Sequence, residues 1–288
     1  MTASDMAIKA GKELLDGLVI NPDEKTAFIA GTLSAEDRWP PLAAKTMWGL
    51  GLTKEKGYGR ITAYDKGAAC SGWTFAIEDA RIKLLSGIYK KAIIISSDVM
   101  TQLVYKYDSS RMLFGDGATA AFLEIETSES TGFRITDTDT VTYAQMPKEV
   151  YYPTELAIDL EDEKTRNRMN LQGEKVYKAG VGYSATFIEE YLHRNNLQLE
   201  DFDYVIPHQA NGSMLSSLEE RLSLGFNKYG LKKLLSNIKT NGNTAASSIP
   251  LCLFDFEESK QFKNGDRILM CSFGAGYTLG IVDVEYKN

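Results

Sequence analysis

Apolar positions along this chain alternate between a helical period and short solid runs. Met6, Ala10, Leu14, Leu15 and Leu18 fall on one face of a helix over 2–18, with Ser4 or Asp5 as its cap. Ala27-Phe28-Ile29-Ala30-Gly31 is a short buried strand, 42–50 reads as a helix, and 60–66 reads as a second strand. A helix follows over 71–87, its apolar positions running from Trp73 through Ile77, Ala80, Ile82 and Leu84 to a stop at Gly87. Ala92-Ile93-Ile94-Ile95-Ser96 is the β-branched run of a strand covered on both faces. Phe114-Gly115-Asp116-Gly117 is a turn before a strand over 118–125, and a further strand lies near 133–137. Residues 143–170 are rich in Tyr and then in charge, which predicts a solvated insertion or flap. Beyond it come a helix over 174–192, a strand over 203–207, a helix over 212–224 and a strand near 235–240. A helix over 244–262 and strands over 267–273 and 277–286 close the chain.

Strands that alternate with helices predict an α/β fold with parallel pairing and right-handed crossovers. The order also repeats. Strand 27–31, helix 42–50, strand 60–66, helix 71–87 and strands 92–97 and 118–125 match strand 203–207, helix 212–224, strand 235–240, helix 244–262 and strands 267–273 and 277–286. This divides the chain into a first half, 1–130, and a second half, 131–288. The overlay places Cys70 and Asn243 at equivalent strand-to-helix turns. The second half has a strand near 133–137 ahead of its first matched strand, whereas the first half begins directly with a helix.

Composition is that of an ordinary globular protein, with 43% apolar and 25% charged residues and a net charge of −7. Without a basic patch, nucleic acid is excluded as an expected partner. No apolar run approaches the length of a membrane span, and no secretory leader pattern opens the chain. The three cysteines, Cys70, Cys252 and Cys271, are too widely spaced for a disulfide framework or a CxxC metal pair, which predicts a reducing cytoplasm.

The candidate chemistry sits at three turns. Gly67-Ala68-Ala69-Cys70-Ser71-Gly72 puts a cysteine at a helix start among residues small enough to admit a ligand, and a helix N-terminus favours the thiolate. His208 ends the strand Val205-Ile206-Pro207, where open α/β sheets bind their ligands. Asn243 lies in Asn241-Gly242-Asn243-Thr244-Ala245-Ala246-Ser247, again between strand and helix. A nucleophile, a base or donor, and an amide donor converge in such a fold. A Cys-His-Asn set serves two chemistries: papain-like proteolysis and thioester condensation. The βαβ alternation and the duplication argue against the first.

These stretches, with Phe114-Gly115-Asp116-Gly117-Ala118, Pro207-His208-Gln209-Ala210-Asn211 and Ser272-Phe273-Gly274-Ala275-Gly276, resemble the ketoacyl-ACP synthase III family of the thiolase superfamily in order and spacing. The resemblance implies thiolase-like duplicated βαβαβαββ halves packed as a five-layer αβαβα sandwich. It implies that Cys70 holds an acyl group and that the backbone N–H groups of Cys70 and Ala275 form an oxyanion hole. His208 and Asn243 would stabilise the enolate left when a malonyl thioester loses CO₂, with no metal and no cofactor. Trp39 aligns with a loop that lines the acyl pocket across a subunit interface, although a surface aromatic before a helix is an equal reading. The implied partners are acyl carrier protein or acyl-CoA thioesters, in a homodimer or a heterodimer with a related subunit. Arg221 is the basic residue of the helix that docks the carrier in this family.

The chain lacks a counterpart to the family's opening stretch of about fifty residues, including an opening strand expected at the centre of the first sheet, as the repeat also suggests. Two other functions fit the same residues. One is acyl transfer to an oxygen or nitrogen acceptor in secondary metabolism, and the other is a non-catalytic subunit of a heteromeric condensing enzyme.

Overall fold

The computed structural model describes residues 1–104, 107–144, 150–151, 169–225 and 234–288. Helix α1 (Ala3–Leu15) opens with a reciprocal cap between Thr2 and Asp5. Strand β1 (Thr26–Gly31), helix α2 (Leu42–Gly49), strand β2 (Ile61–Lys66), helix α3 (Gly72–Leu85) and strand β3 (Lys91–Val99) follow. A short helix α4 (Met100–Leu103) and strand β4 (Asp116–Glu124) complete the first sheet. Its order is β2-β1-β3-β4, with β1 parallel to both neighbours and β4 antiparallel to β3.

Strand β5 (Gly132–Thr142) begins the second sheet, and β6 (Val150–Tyr151) pairs with β7 (Asn170–Leu171) beside it as a separate ladder. Then come α5 (Gly173–Arg194), β8 (Tyr204–Pro207), α6 (Gly212–Gly225), α7 (Ile238–Asn241), α8 (Ser248–Glu258), β9 (Arg267–Gly274) and β10 (Thr278–Lys287). The order is β5-β10-β9-β8, with β8 and β9 parallel and both β10 pairings antiparallel.

Because strand side chains alternate between faces, each sheet feeds two layers. Phe28, Ala30, Ile93 and Ile95 point to one side of the first sheet and pack on α1 and α2. Ala27, Ile29, Ala92 and Ile94 point to the other side, onto Trp73, Ala76, Ile77 and Ala80 of α3 and Ile249, Cys252 and Leu253 of α8. The same central cluster takes in Ile268 and Met270 of β9 and Val282 and Val284 of β10. Leu269, Cys271, Leu279 and Ile281 face outward onto α5 and α6. The result is the expected five-layer αβαβα sandwich, with α3 and α8 as its inner layer. Among the described residues, no helix is long and apolar enough to cross a membrane.

Two expectations are corrected. The first sheet has no central gap, since β1 and β3 pair directly from Thr26↔Lys91 to Gly31↔Ser96. The second sheet shows why: its opening strand β5 is an edge strand on β10, so a first-half counterpart would stand outside β4. The strand expected near 235–240 is also replaced. Leu234 makes a single parallel bridge to Val205, and the chain then turns into α7. The amides of Asn237 and Asn241 both donate to Asp255 of α8, at 2.8 and 3.0 Å, and Gly242 turns away with φ 64°. These side-chain bonds hold a helical turn where a ladder was expected. Most of the 143–170 insertion lies outside the described residues, while its ends form the β6–β7 ladder.

Candidate active site

Cys70 lies in a 3₁₀ turn, Ala69–Ser71, one step before α3. Ala69 adopts φ 48°, a left-handed conformation that costs a non-glycine residue about 1 kcal/mol or more and persists where surrounding contacts enforce it. Those contacts come from the second half. The Thr278 hydroxyl donates to the Ala68 carbonyl at 3.0 Å, the Ser71 hydroxyl donates to the Thr278 carbonyl at 2.8 Å, and the hydroxyls of Thr74 and Ser272 meet at 2.7 Å.

The thiolate expected from a helix start is overturned for the resting protein. Cys70 is partly exposed to a cavity, yet burial among apolar groups and the nearby Asp98 carboxylate push its thiol up to about 12. Desolvation and a like charge outweigh the partial charge of one helix end.

His208 follows β8, and its backbone N–H donates to the Cys271 carbonyl at 2.8 Å. The imidazole is 3% exposed, stands edge-on to Phe273, and is pushed down to about 4 by burial. Its Nδ1 lies 2.6 Å from the Ser248 hydroxyl, which accepts the Gln209 backbone N–H at 3.4 Å. In the tautomer in which that hydroxyl donates to Nδ1, the neutral ring carries its hydrogen on Nε2.

Asn243 is held on three sides. Its N–H donates to the Leu113 carbonyl at 2.8 Å, its carbonyl accepts the Gly115 N–H at 3.0 Å, and its Oδ1 accepts the Ala245 N–H at 2.9 Å. With Oδ1 engaged, the amide presents its NH₂ as donor. The Phe114-Gly115-Asp116-Gly117 turn thus has a visible purpose, because a Cβ at Gly115 would lie 2.0 Å from the Asn241 carbonyl oxygen.

Cys70, His208 and Asn243 line one cavity of about 360 Å³, together with Gly274, Ala275 and Gly276 at the end of β9. That volume is in the range of small-molecule sites. The remaining wall is mostly apolar and includes Leu33, Met100, Val176 and Met214. Val150, Met169 and Leu171 also line it, so the ends of the insertion form part of the wall as well as a surface ladder. Trp39 is 82% exposed and outside this lining, and Arg221 is exposed on α6.

Two residues went unnoticed in the sequence. Ser248 hides in a run of small residues, and only its pairing with His208 marks it. Asp98 carried a signal, a charge near the end of a strand with an apolar centre, and it is fully buried.

The family model for 3-oxoacyl-[acyl-carrier-protein (ACP)] synthase III matches residues 64–144, and its C-terminal model matches 192–286. The chain is 32% identical to the β-ketoacyl-[acyl-carrier-protein] synthase III of Phocaeicola vulgatus, covering 98% of this chain and 81% of that protein. It is 30% identical to that of Chlorobium phaeobacteroides, covering 96% and 82%. The crystal structure of 3-oxoacyl-[acyl-carrier-protein] synthase III from Aquifex aeolicus superposes with a TM-score of 0.82 at 29% identity, over 99% of this chain and 85% of that one. The Pseudomonas aeruginosa enzyme shares the fold, with a TM-score of 0.84 at 24% identity over 100% and 84%. The chain belongs to the β-ketoacyl-[acyl-carrier-protein] synthase III family of condensing enzymes.

Proposed function

We propose that this condensing enzyme builds a β-ketoacyl thioester by a decarboxylating Claisen reaction, with Cys70 as the acyl carrier, in fatty-acid-type synthesis. The Cys70 sulfur attacks an acyl thioester, and its proton leaves with the departing thiol. The backbone N–H groups of Cys70 and Ala275 receive the oxyanion. The high resting value of the thiol fits this step, because a thiol gives its proton to the leaving group and is not spent on other electrophiles.

A malonyl thioester then loses CO₂, and its enolate oxygen lies against His208 Nε2–H and the Asn243 NH₂. Two neutral donors in an apolar cavity act most strongly when the negative charge appears. The enolate carbon attacks the acyl-Cys70 carbonyl, the C–S bond breaks, and the cysteine leaves as a thiolate that takes one proton from water. The observation that carries this reading is the convergence of Cys70 from one sheet with His208 and Asn243 from the other on one cavity. The proposed donors are acyl-CoA or acyl carrier protein, with Arg221 on α6 as a docking contact. The Trp39 loop is proposed to pair two copies of the chain.

Incubation with an acyl-CoA, then with malonyl-ACP, tests the reading. Intact mass should show one acyl group on Cys70, followed by CO₂ release and a β-ketoacyl product. Acyl transfer to an oxygen or nitrogen acceptor without CO₂ would overturn it. A monomer with full activity in sedimentation would remove the pairing.

A further inference from the structure

The halves build the same turn twice at a constant spacing. Ala69 and Ala245 both have positive φ, at 48° and 51°, α3 and α8 start at Gly72 and Ser248, and β3 and β9 start at Lys91 and Arg267. Each pair is 176 residues apart (69 to 245, 72 to 248, 91 to 267). On that spacing Cys70 corresponds to Ala246, and Gly274 corresponds to Asp98.

At the first turn, Gly274 brings no side chain up to the Cys70 nitrogen. A Cβ there would stand 2.6 Å from the Thr278 hydroxyl, 2.8 Å from the Ala68 carbonyl oxygen and 3.0 Å from that nitrogen, and Cys70 and Gly274 both line the cavity. At the second turn a carboxylate stands in the corresponding place. Asp98 Oδ2 accepts the Ala246 N–H at 3.1 Å. Its Oδ1 accepts from the Leu33 N–H at 2.8 Å and from the hydroxyls of Thr32 and Ser34, each at 3.1 Å. A fully buried carboxylate with four donors is a satisfied anion.

We propose that Asp98 is a positioning residue whose carboxylate binds, at the second half's turn, the Ala246 N–H that corresponds to the Cys70 N–H of the first half's turn. It ties the Ala245–Ser247 turn, and with it Asn243, to the Thr32–Ser34 loop of the opposite half. The two turns lie against each other, with the Ala246 Cβ 3.5 Å from where a Cβ at Gly72 would stand, so the charge that binds Ala246 also reaches Cys70 and adds to burial in holding the thiol protonated. His208, from the second sheet, faces the same cavity uncharged. Likening the cavity beside the Cys70 turn to an oxyanion hole rests on the function proposed above, but both roles of Asp98 can be read without an acyl substrate.

The first test is the alkylation rate of Cys70 by iodoacetamide, followed by peptide mass across pH in wild type and Asp98→Asn. The variant keeps the size and one acceptor oxygen and loses the charge. Its rate near pH 8 should rise about tenfold, the effect of a one-unit fall in thiol pKa. Because the buried Asp98 carboxyl is pushed up to about 6, it becomes neutral below that pH, and the two rate profiles should merge there. A purely structural role would alter melting without this pH-dependent separation. Superimposed profiles would overturn the electrostatic role. Asp98→Gly should regain thermal stability with added acetate more than with acetamide at equal concentration, and equal or absent rescue would overturn the carboxylate's binding of the Ala246 turn. Should Asp98→Gly fail to fold, melting of Asp98→Asn decides: an unchanged midpoint would overturn the positioning role.

Discussion

At the scale of single residues, the site depends on charge states that the fold imposes. His208→Ala removes a donor aimed at the proposed enolate, and condensation should fall about 10²-fold or more while acylation of Cys70 proceeds. Radiolabelled CO₂ release, measured beside intact mass, separates the two steps. Ser248→Ala should lower the same step by a smaller factor, because it removes the partner that orients the imidazole at Nδ1. The histidine also leaves a mark on stability. Its folded value, about 4, lies below the ordinary 6.5, so the folded protein holds fewer protons than the unfolded chain between them. That contribution is present above about pH 6.5 and is lost as pH falls towards 4. Denaturant midpoints from pH 4 to 8 should show wild type losing stability faster on acidification than His208→Gln, a comparison in which the other acid groups cancel. Cys70, His208 and Asn243, which line one cavity, were legible in the sequence, the first and last from small residues at a strand-to-helix turn and His208 from its place at a strand end. The pull on their charge states was not, since it follows from burial in the folded protein and, for Cys70, from Asp98, a group distant in the chain.

At the scale of elements, the turn before β4 and the turn before α8 act as one unit. Gly115→Ala would set a methyl against the Asn241 carbonyl and push the Asn243 turn aside. It should destabilise the protein by about 3 kcal/mol, the upper range for overpacking, and depress condensation more than Cys70 acylation. Gly67→Ala, with nothing within 4 Å of the added carbon, should stay within about 0.5 kcal/mol in the same urea titration. Strands β1, β3, β8, β9 and β10 were legible as apolar runs because both of their faces are covered. Residues 235–240 misled, because one apolar pair, Leu234-Leu235, reads like the end of a strand. Bonds from Asn237 and Asn241 to Asp255, which decide the matter, join positions that no local period connects. The turn over 114–117 was visible as glycine punctuation, but its hold on Asn243 required the two halves to be seen together.

At the scale of the whole molecule, the duplication was legible and its geometry only partly so. The order of elements repeats along the chain, whereas the place of an opening strand at a sheet edge is a property of pairing and not of order. The central layer is shared, since α3 and α8 bury their apolar faces in one cluster with both sheets. Unfolding should therefore be a single transition, with near-UV and far-UV circular dichroism giving the same midpoint. Two separated midpoints would mean that the sheets hold their helices independently. The shared layer also bears on how the protein is made. A ribosome delivers α3 long before α8, β9 and β10 exist, and Trp73, Ala76, Ile77 and Ala80 then lack the part of their final surroundings that those elements supply. During that interval the nascent chain shows an apolar surface that its own later residues will cover, which is where chaperones bind and where a premature stop leaves an insoluble fragment.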